Sequence, residues 1–155
     1  LAVRITANPP EELIGTRVSY LKHGFYKHRD LYVDKTTPVI IWEKEKELPL
    51  WANEYFSNPK IVMRVDDLNS MYQAVKSGIG IARMPCFLPD IIADENVDRM
   101  PIDLPLSNWG VWLLSHVDLR NTARINACRS HLKQSLSDFI PYFEGKMQLD
   151  NLILP

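Results

Sequence analysis

Cysteine is scarce in this chain: Cys86 and Cys128 are the only two among 155 residues. Two separated thiols build neither a disulfide framework nor a tetrahedral metal site, so both are expected to be reduced and buried. Cys86 follows Met84-Pro85, a position that raises the question of redox sensing, yet nothing near it would lower a thiol pKa, and an inert thiol is expected. The four histidines, His23, His28, His116 and His131, have no metal-ligand spacing and are expected on the surface or in packing. Long apolar runs are missing as well. None exceeds the length of Val111 to Leu114, far short of the roughly 20 residues a membrane-spanning helix needs. No basic segment followed by an apolar stretch opens the chain, so no secretory leader is expected. Charge of one sign is also lacking. The net charge is −1, whereas a domain that holds DNA or RNA carries a basic excess. There is no P-loop, no G-x-S-x-G, no internal repeat and no low-complexity segment.

What is present is ordinary for a folded soluble protein: 46% hydrophobic and 24% charged residues. The length allows one domain with a real core or two small lobes. Leu1 opens directly into Ala2-Val3-Arg4-Ile5, which reads as a strand already in progress, so the chain is expected to be a fragment of something longer on its N-terminal side.

The most informative stretch runs from Arg64 to Pro85. Leu68, Met71, Tyr72 and Val75 fall at i, i+3, i+4 and i+7, one apolar stripe of a helix from Leu68 to Lys76. Asp66 or Asp67 precedes it as the N-cap. Gly78 stands where a left-handed C-cap belongs. Ile79-Gly80-Ile81-Ala82 reads as the following strand, ended by Pro85, with Gly80 allowing helix and strand to approach closely. Pro38-Val39-Ile40-Ile41-Trp42 does not alternate and reads as a buried parallel strand. Further strands are expected over Ala2 to Ile5, Arg17 to Leu21 continued by Phe25-Tyr26, Lys60 to Arg64, Val97 to Ile102 and Val111 to Ser115. Short helices are expected over Glu11 to Ile14, Leu50 to Phe56 (with Trp51, Tyr55 and Phe56 inward) and Phe87 to Ala93. Thr122 is expected to cap a long helix from Ala123 to about Phe139 that buries Ile125, Cys128, Leu132, Leu136 and Phe139. Asn8-Pro9-Pro10 makes a turn, Glu43 to Glu47 a solvated loop, Lys27 to Asp34 a polar crossing, and Glu144 to Pro155 a flexible tail. This order points to parallel sheets covered by helices and split into two lobes.

These residues resemble the effector-binding (substrate-binding) domain of LysR-type transcriptional regulators. The resemblance rests on Val65-Asp66-Asp67-Leu68, Ala74-Val75, Gly78-Ile79-Gly80-Ile81-Ala82 and Met84-Pro85. It is supported by Ala2-Val3-Arg4, Asn8-Pro9-Pro10, Leu13-Ile14, Trp112-Leu113-Leu114-Ser115-His116, Asp118-Leu119-Arg120 and Thr122-Ala123-Arg124. It covers roughly residues 1–140. The resemblance implies an α/β, two-lobed fold like the type 2 periplasmic binding proteins, with an incomplete first lobe in residues 1–34 and 110–140, a second lobe in 35–109 and a tail in 141–155. The family's opening strand and helix segment and its winged helix-turn-helix domain would lie outside this chain. Lys27 and His28 depart from the small residues many relatives carry after the tyrosine of the second strand.

By that resemblance the chain senses a small-molecule effector for a cytoplasmic regulator. DNA would be bound only through an N-terminal domain absent here; a homo-oligomer is implied and a membrane is not. A solute-binding protein of a transporter is the alternative on the same fold. An enzyme such as a dehydratase would need a convergent acid/base set, and none is visible. No catalytic residue, metal or cofactor is expected. The effector is expected between Arg4, Ile5 and Thr6, which offer a cation and a hydroxyl, and Val65, Asp66, Asp67 and Leu68, which offer free helix N–H groups and a favourable dipole. The two carboxylates must then point aside as caps.

Overall fold

A computed structural model of the chain describes residues 1–147. The chain divides into two compact units, Gly24–Asp103 and Leu1–His23 with the residues from Leu104 onward. The division expected at 34/35 and 109/110 differs from these borders, because residues 24–34 and 104–109 make their contacts elsewhere.

The unit Gly24–Asp103 is built on a five-stranded sheet. Its strands are β3 (His23–His28), β4 (Thr37–Trp42), β5 (Pro59–Val65), β6 (Ile81–Pro85) and β7 (Val97–Arg99), in the order β5-β4-β6-β3-β7. β4 runs parallel to both β5 and β6, and β7 runs antiparallel to β3. Both faces of this sheet are covered, which is why β4 reads as unbroken apolar sequence. Neighbouring residues of β3 show the two sides. Phe25 packs against Trp51, Tyr55 and Phe56, in or just after α1 (Leu50–Tyr55), with ring centroids about 5 Å apart. Tyr26 joins Ile40, Val65, Ala82, Met84 and Cys86 in a core covered by Met71, Tyr72, Ala74 and Val75 of α2 (Leu68–Lys76). Helix α3 (Phe87–Ile92) follows β6 and ends on Ala93 in the left-handed region.

The expected helix and its caps are observed. Gly78 has φ +75°, and Gly78 and Ile79 return N–H groups to Val75 and Ala74. Gly80 is tightly enclosed, but by strands β4 and β5 and not by the helix: a Cβ there would lie 2.9 Å from the Pro38 carbonyl oxygen and 3.2 Å from Val62 Cγ2. The strand itself begins one residue later, at Ile81. The strand expected to reach Ile102 stops at Arg99. Lys27 and His28 do not form a polar crossing; they are paired with Asp98 and Val97.

The other unit holds a three-stranded sheet of β1 (Ala2–Thr6), β8 (Gly110–His116) and β2 (Leu13–Tyr20), with β8 in the middle. All its pairings are antiparallel, not parallel as expected. Leu13 and Ile14, expected in a helical turn, are strand residues opposite His116 and Ser115. Here a non-local ladder overrides a local preference. Phe25-Tyr26 does not continue this strand, since β3 belongs to the other sheet.

A short 3-10 turn (Val117–Leu119) leads into α4 (Ala123–Ser137). Thr122 has the extended backbone of an N-cap, but its side chain makes no capping bond. The helix contacts β2 and β8, and none of its residues is buried. Ile125, Leu132 and Leu136 are half-buried, whereas Cys128 and Phe139 are exposed, against expectation. Just before the expected flexible tail, α5 (Ile140–Phe143) buries Phe143, whose carbonyl accepts from the Lys22 N–H. Most of the tail expected from Glu144, the residues from 148 onward, lies outside the described residues.

Candidate functional site

Two stretches named from the sequence are placed in different units, and each has its own geometry. The first is the junction of β5 and α2. Val65 is buried opposite Trp42 and its carbonyl accepts from the Glu43 N–H at 2.8 Å. The Arg64 guanidinium reaches the carbonyls of Glu45 and Lys46, at 3.4 and 3.3 Å, and so ties down the loop beside the junction. Asp66 is exposed. Asp67 is the N-cap: its carboxylate accepts from the Ser70 N–H at 2.9 Å and from the Ser70 hydroxyl. The Ser70 hydroxyl and backbone N–H together hold the Asp67 carboxyl below its usual pKa. This carboxylate is thus committed to the helix end, and the stabilisation it gives is present at neutral pH and lost as pH falls through its pKa. The Leu68 N–H, at the first helical position, has no acceptor within the helix.

The second stretch is β1. Arg4 is exposed and lies opposite Trp112 of β8, which lies opposite Arg17 of β2. Cross-strand partners share a face, so the three side chains form a row, Arg4–Trp112–Arg17. The Arg17 guanidinium stacks on the Tyr20 ring at 3.8 Å and donates to the Tyr20 hydroxyl at 2.6 Å; Trp112 is the next ring, at 5.3 Å. Ile5 is 41% exposed and projects from the opposite face. The Thr6 hydroxyl is engaged in a local turn, donating to the Asn8 carbonyl at 3.1 Å and accepting from the Asn8 N–H at 3.2 Å. Its carbonyl accepts from the Trp112 indole N–H. Arg17, Tyr20 and Trp112 were missed in the sequence, because more than ninety residues separate Trp112 from either partner strand and only register shows that they share a face.

A buried polar cluster lies in the Gly24–Asp103 unit. The Tyr26 hydroxyl donates to Asp90 Oδ1 at 3.2 Å. Burial pushes both the Tyr26 hydroxyl and the Asp90 carboxyl above their usual pKa values; the nearby Arg99 partly offsets this. Cys86 is fully buried in the same core. His28 and His116 cap local turns through Nδ1, accepting from the Asp30 and Asp118 N–H groups. Among the described residues no group of three His, Cys, Asp or Glu side chains could hold a metal ion, and no helix is long and apolar enough to cross a membrane.

A family model described as the LysR substrate binding domain matches residues 45–137. The fold is similar to that of the AmpR effector-binding domain of Citrobacter freundii, with TM-score 0.68 and 15% identity over 88% of this chain and 74% of that one. It is also similar to the regulatory domain of CrgA, a LysR-type transcriptional regulator of Neisseria meningitidis, with TM-score 0.65 and 14% identity over 86% and 74%. A third similar structure is the regulatory domain of CcmR from Synechocystis in complex with 2-PG, with TM-score 0.58 and 15% identity over 86% and 72%. Identities this low bear on the fold alone. No curated protein matches the sequence.

Proposed function

The chain belongs to the LysR substrate-binding domain family, with the periplasmic-binding-protein-like fold, and on that premise we propose that it senses a small polar metabolite for a bacterial transcriptional regulator. The family match over residues 45–137 carries this reading. The effector shifts an equilibrium between two conformations of the regulator, and it does so only by binding one of them better. Inverting a 1:99 population takes about a 10⁴-fold difference in affinity. DNA is held by a separate DNA-binding domain, in keeping with the net charge of −1 in this chain. The regulator works in the cytoplasm as a homo-oligomer.

The candidate contacts are read in each unit by itself. Arg4 supplies an exposed cation on β1, with Ile5 and Thr6 beside it. The backbone at Val65, Asp66, Asp67 and Leu68 supplies donors at the start of α2. Two features support an anionic or polar ligand: the Asp67 carboxylate is turned into its cap, and the related CcmR domain is complexed with 2-PG. The hydroxyl of Thr6, engaged with Asn8, is the weakest of these groups.

The test is titration of ¹⁵N-labelled protein with a panel of small mono- and dicarboxylates. A binder should shift the amides of Val65 to Leu68 first, and Arg4→Ala should weaken it by about tenfold or more, as loss of a charge-assisted hydrogen bond does. Shifts confined to other residues, or unchanged affinity in Arg4→Ala, would reject the assignment.

A further inference from the structure

We propose that the unit containing the three-stranded sheet carries a second site, for a small oxyanion bearing a phosphate or carboxylate group, in the cavity between the start of β2 and α4. The cavity has a volume of about 250 Å³ and is lined by Ile14, Gly15, Thr16, Arg120 and Arg129. That is several times the roughly 30 Å³ one water occupies in the liquid, enough for a tetrahedral ion with part of its hydration.

The chemistry of the lining is one-sided. Two guanidinium groups border the cavity, and neither meets a carboxylate among the described residues. Glu12 and Asp118 each stand two residues from a lining residue, and neither pairs with these guanidinium groups; the Asp118 carboxylate contacts His116 Nδ1 at 3.2 Å and is 82% exposed. Arg129 is held in a fixed pose. One terminal nitrogen donates to the buried Ser115 hydroxyl at 2.6 Å and the other to Asn126 Oδ1 at 3.2 Å. Its Nε is buried and has no hydrogen-bond partner. A partly buried cation with no counter-charge is unfavourable, and an oxyanion in the cavity supplies that charge. Guanidinium forks match phosphate and carboxylate oxygens in pairs. Gly15 adds no side chain to the wall and Thr16 adds a hydroxyl.

This cavity is distinct from the Arg4 row. Ile14 lies opposite Ser115 and Thr16 opposite Leu113, whereas Arg4 and Arg17 lie opposite Trp112. Alternation along β8 places the two sets on opposite faces of the sheet. The inference therefore stands or falls independently of the effector reading.

The experiment is an NMR titration of the protein with inorganic phosphate, with acetate and with chloride at matched ionic strength, observing the Arg129 Nε–H signal and the Gly15 and Thr16 amides. Phosphate or acetate should give saturable shifts and chloride should not; the tighter of the two identifies the group the site prefers. Arg120→Gln removes an exposed side chain and should weaken the response about tenfold or more, while Arg4→Gln leaves it unchanged. If Arg120→Gln does not fold, Arg120→Lys, which keeps the charge and loses the fork, should bind more weakly than the parent. Shifts that never saturate, shifts equal for all three anions, or a response unaltered in the folded Arg120 variant would overturn the proposal.

Discussion

Helix α2 has nine residues and buries four of them, whereas α4 has fifteen and buries none. Both carry apolar residues at helical spacing. The difference is in what lies beneath. α2 closes a core shared by β3, β4, β5 and β6, where Tyr26, Ile40, Val75, Ala82 and Met84 are fully enclosed. α4 rests on the narrow antiparallel sheet, whose outer strand β1 leaves Val3 and Ile5 about half exposed. An apolar stripe tells which side of a helix seeks cover; it does not tell how much cover the rest of the fold provides.

The comparison can be broken most strongly at Ile40. Truncation to Ala removes three carbons from the densest part of the five-stranded unit and should cost about 2–5 kcal/mol, read as a lower urea midpoint. A cost under about 1 kcal/mol would mean that this core is looser than its burial indicates. Gly80→Val should be next. Its Cβ would press on the Pro38 carbonyl, and backbone cannot swing away as a side-chain tip can. The expected cost is about 1–3 kcal/mol, and an unchanged melting curve would show that β4 and the residues before β6 separate easily.

Asp90 sharpens the comparison from the polar side, since among the described residues only the well-covered unit buries a carboxylate. Asp90 Oδ2 has no hydrogen-bond partner, and burial raises the pKa of the group. A raised folded-state pKa means that the folded protein holds the proton more tightly than the unfolded chain. The stability tied to this group is therefore complete below the unfolded pKa, near 3.9, and is lost as pH rises through the folded value. Asp90→Asn should melt higher than the parent at pH 7, and the gap should narrow as pH approaches 4. A gap that widens on acidification would show that the Tyr26 bond and Arg99 outweigh burial. The smallest effect is expected at Leu132→Ala in α4, about 1 kcal/mol or less, because the half-buried side chain has little contact to lose. A loss as large as that of Ile40→Ala would reveal cover over α4 that its exposure does not show.

The same contrast marks how far the sequence could be read. The stretch from Asp67 to Gly78 was legible almost residue by residue. Asp67 as cap, the Leu68–Lys76 span and Gly78 in the left-handed region all depend on partners within a few positions, and such devices act through local geometry. The apolar run of β4 signalled a strand covered on both faces for the same reason. In the candidate site, the cap at Asp67 and the cation at Arg4 were legible. The engagement of Thr6 with Asn8, the stacking of Arg17 on Tyr20 and the position of Trp112 beside Arg17 were not.

Residue chemistry and local spacing alone thus determined the helix ends, the buried strand and the family resemblance, because each is written in neighbouring residues. The tertiary structure decided that Leu13 and Ile14 extend a strand, that β2 and β3 part into different sheets and that α4 stays half covered. It also decided that Arg120 and Arg129 border one cavity. Those outcomes depend on pairing with β8 or on the breadth of the supporting sheet. Register and cover between segments as far apart as Ala2 and Leu114 have no signature in any one of them.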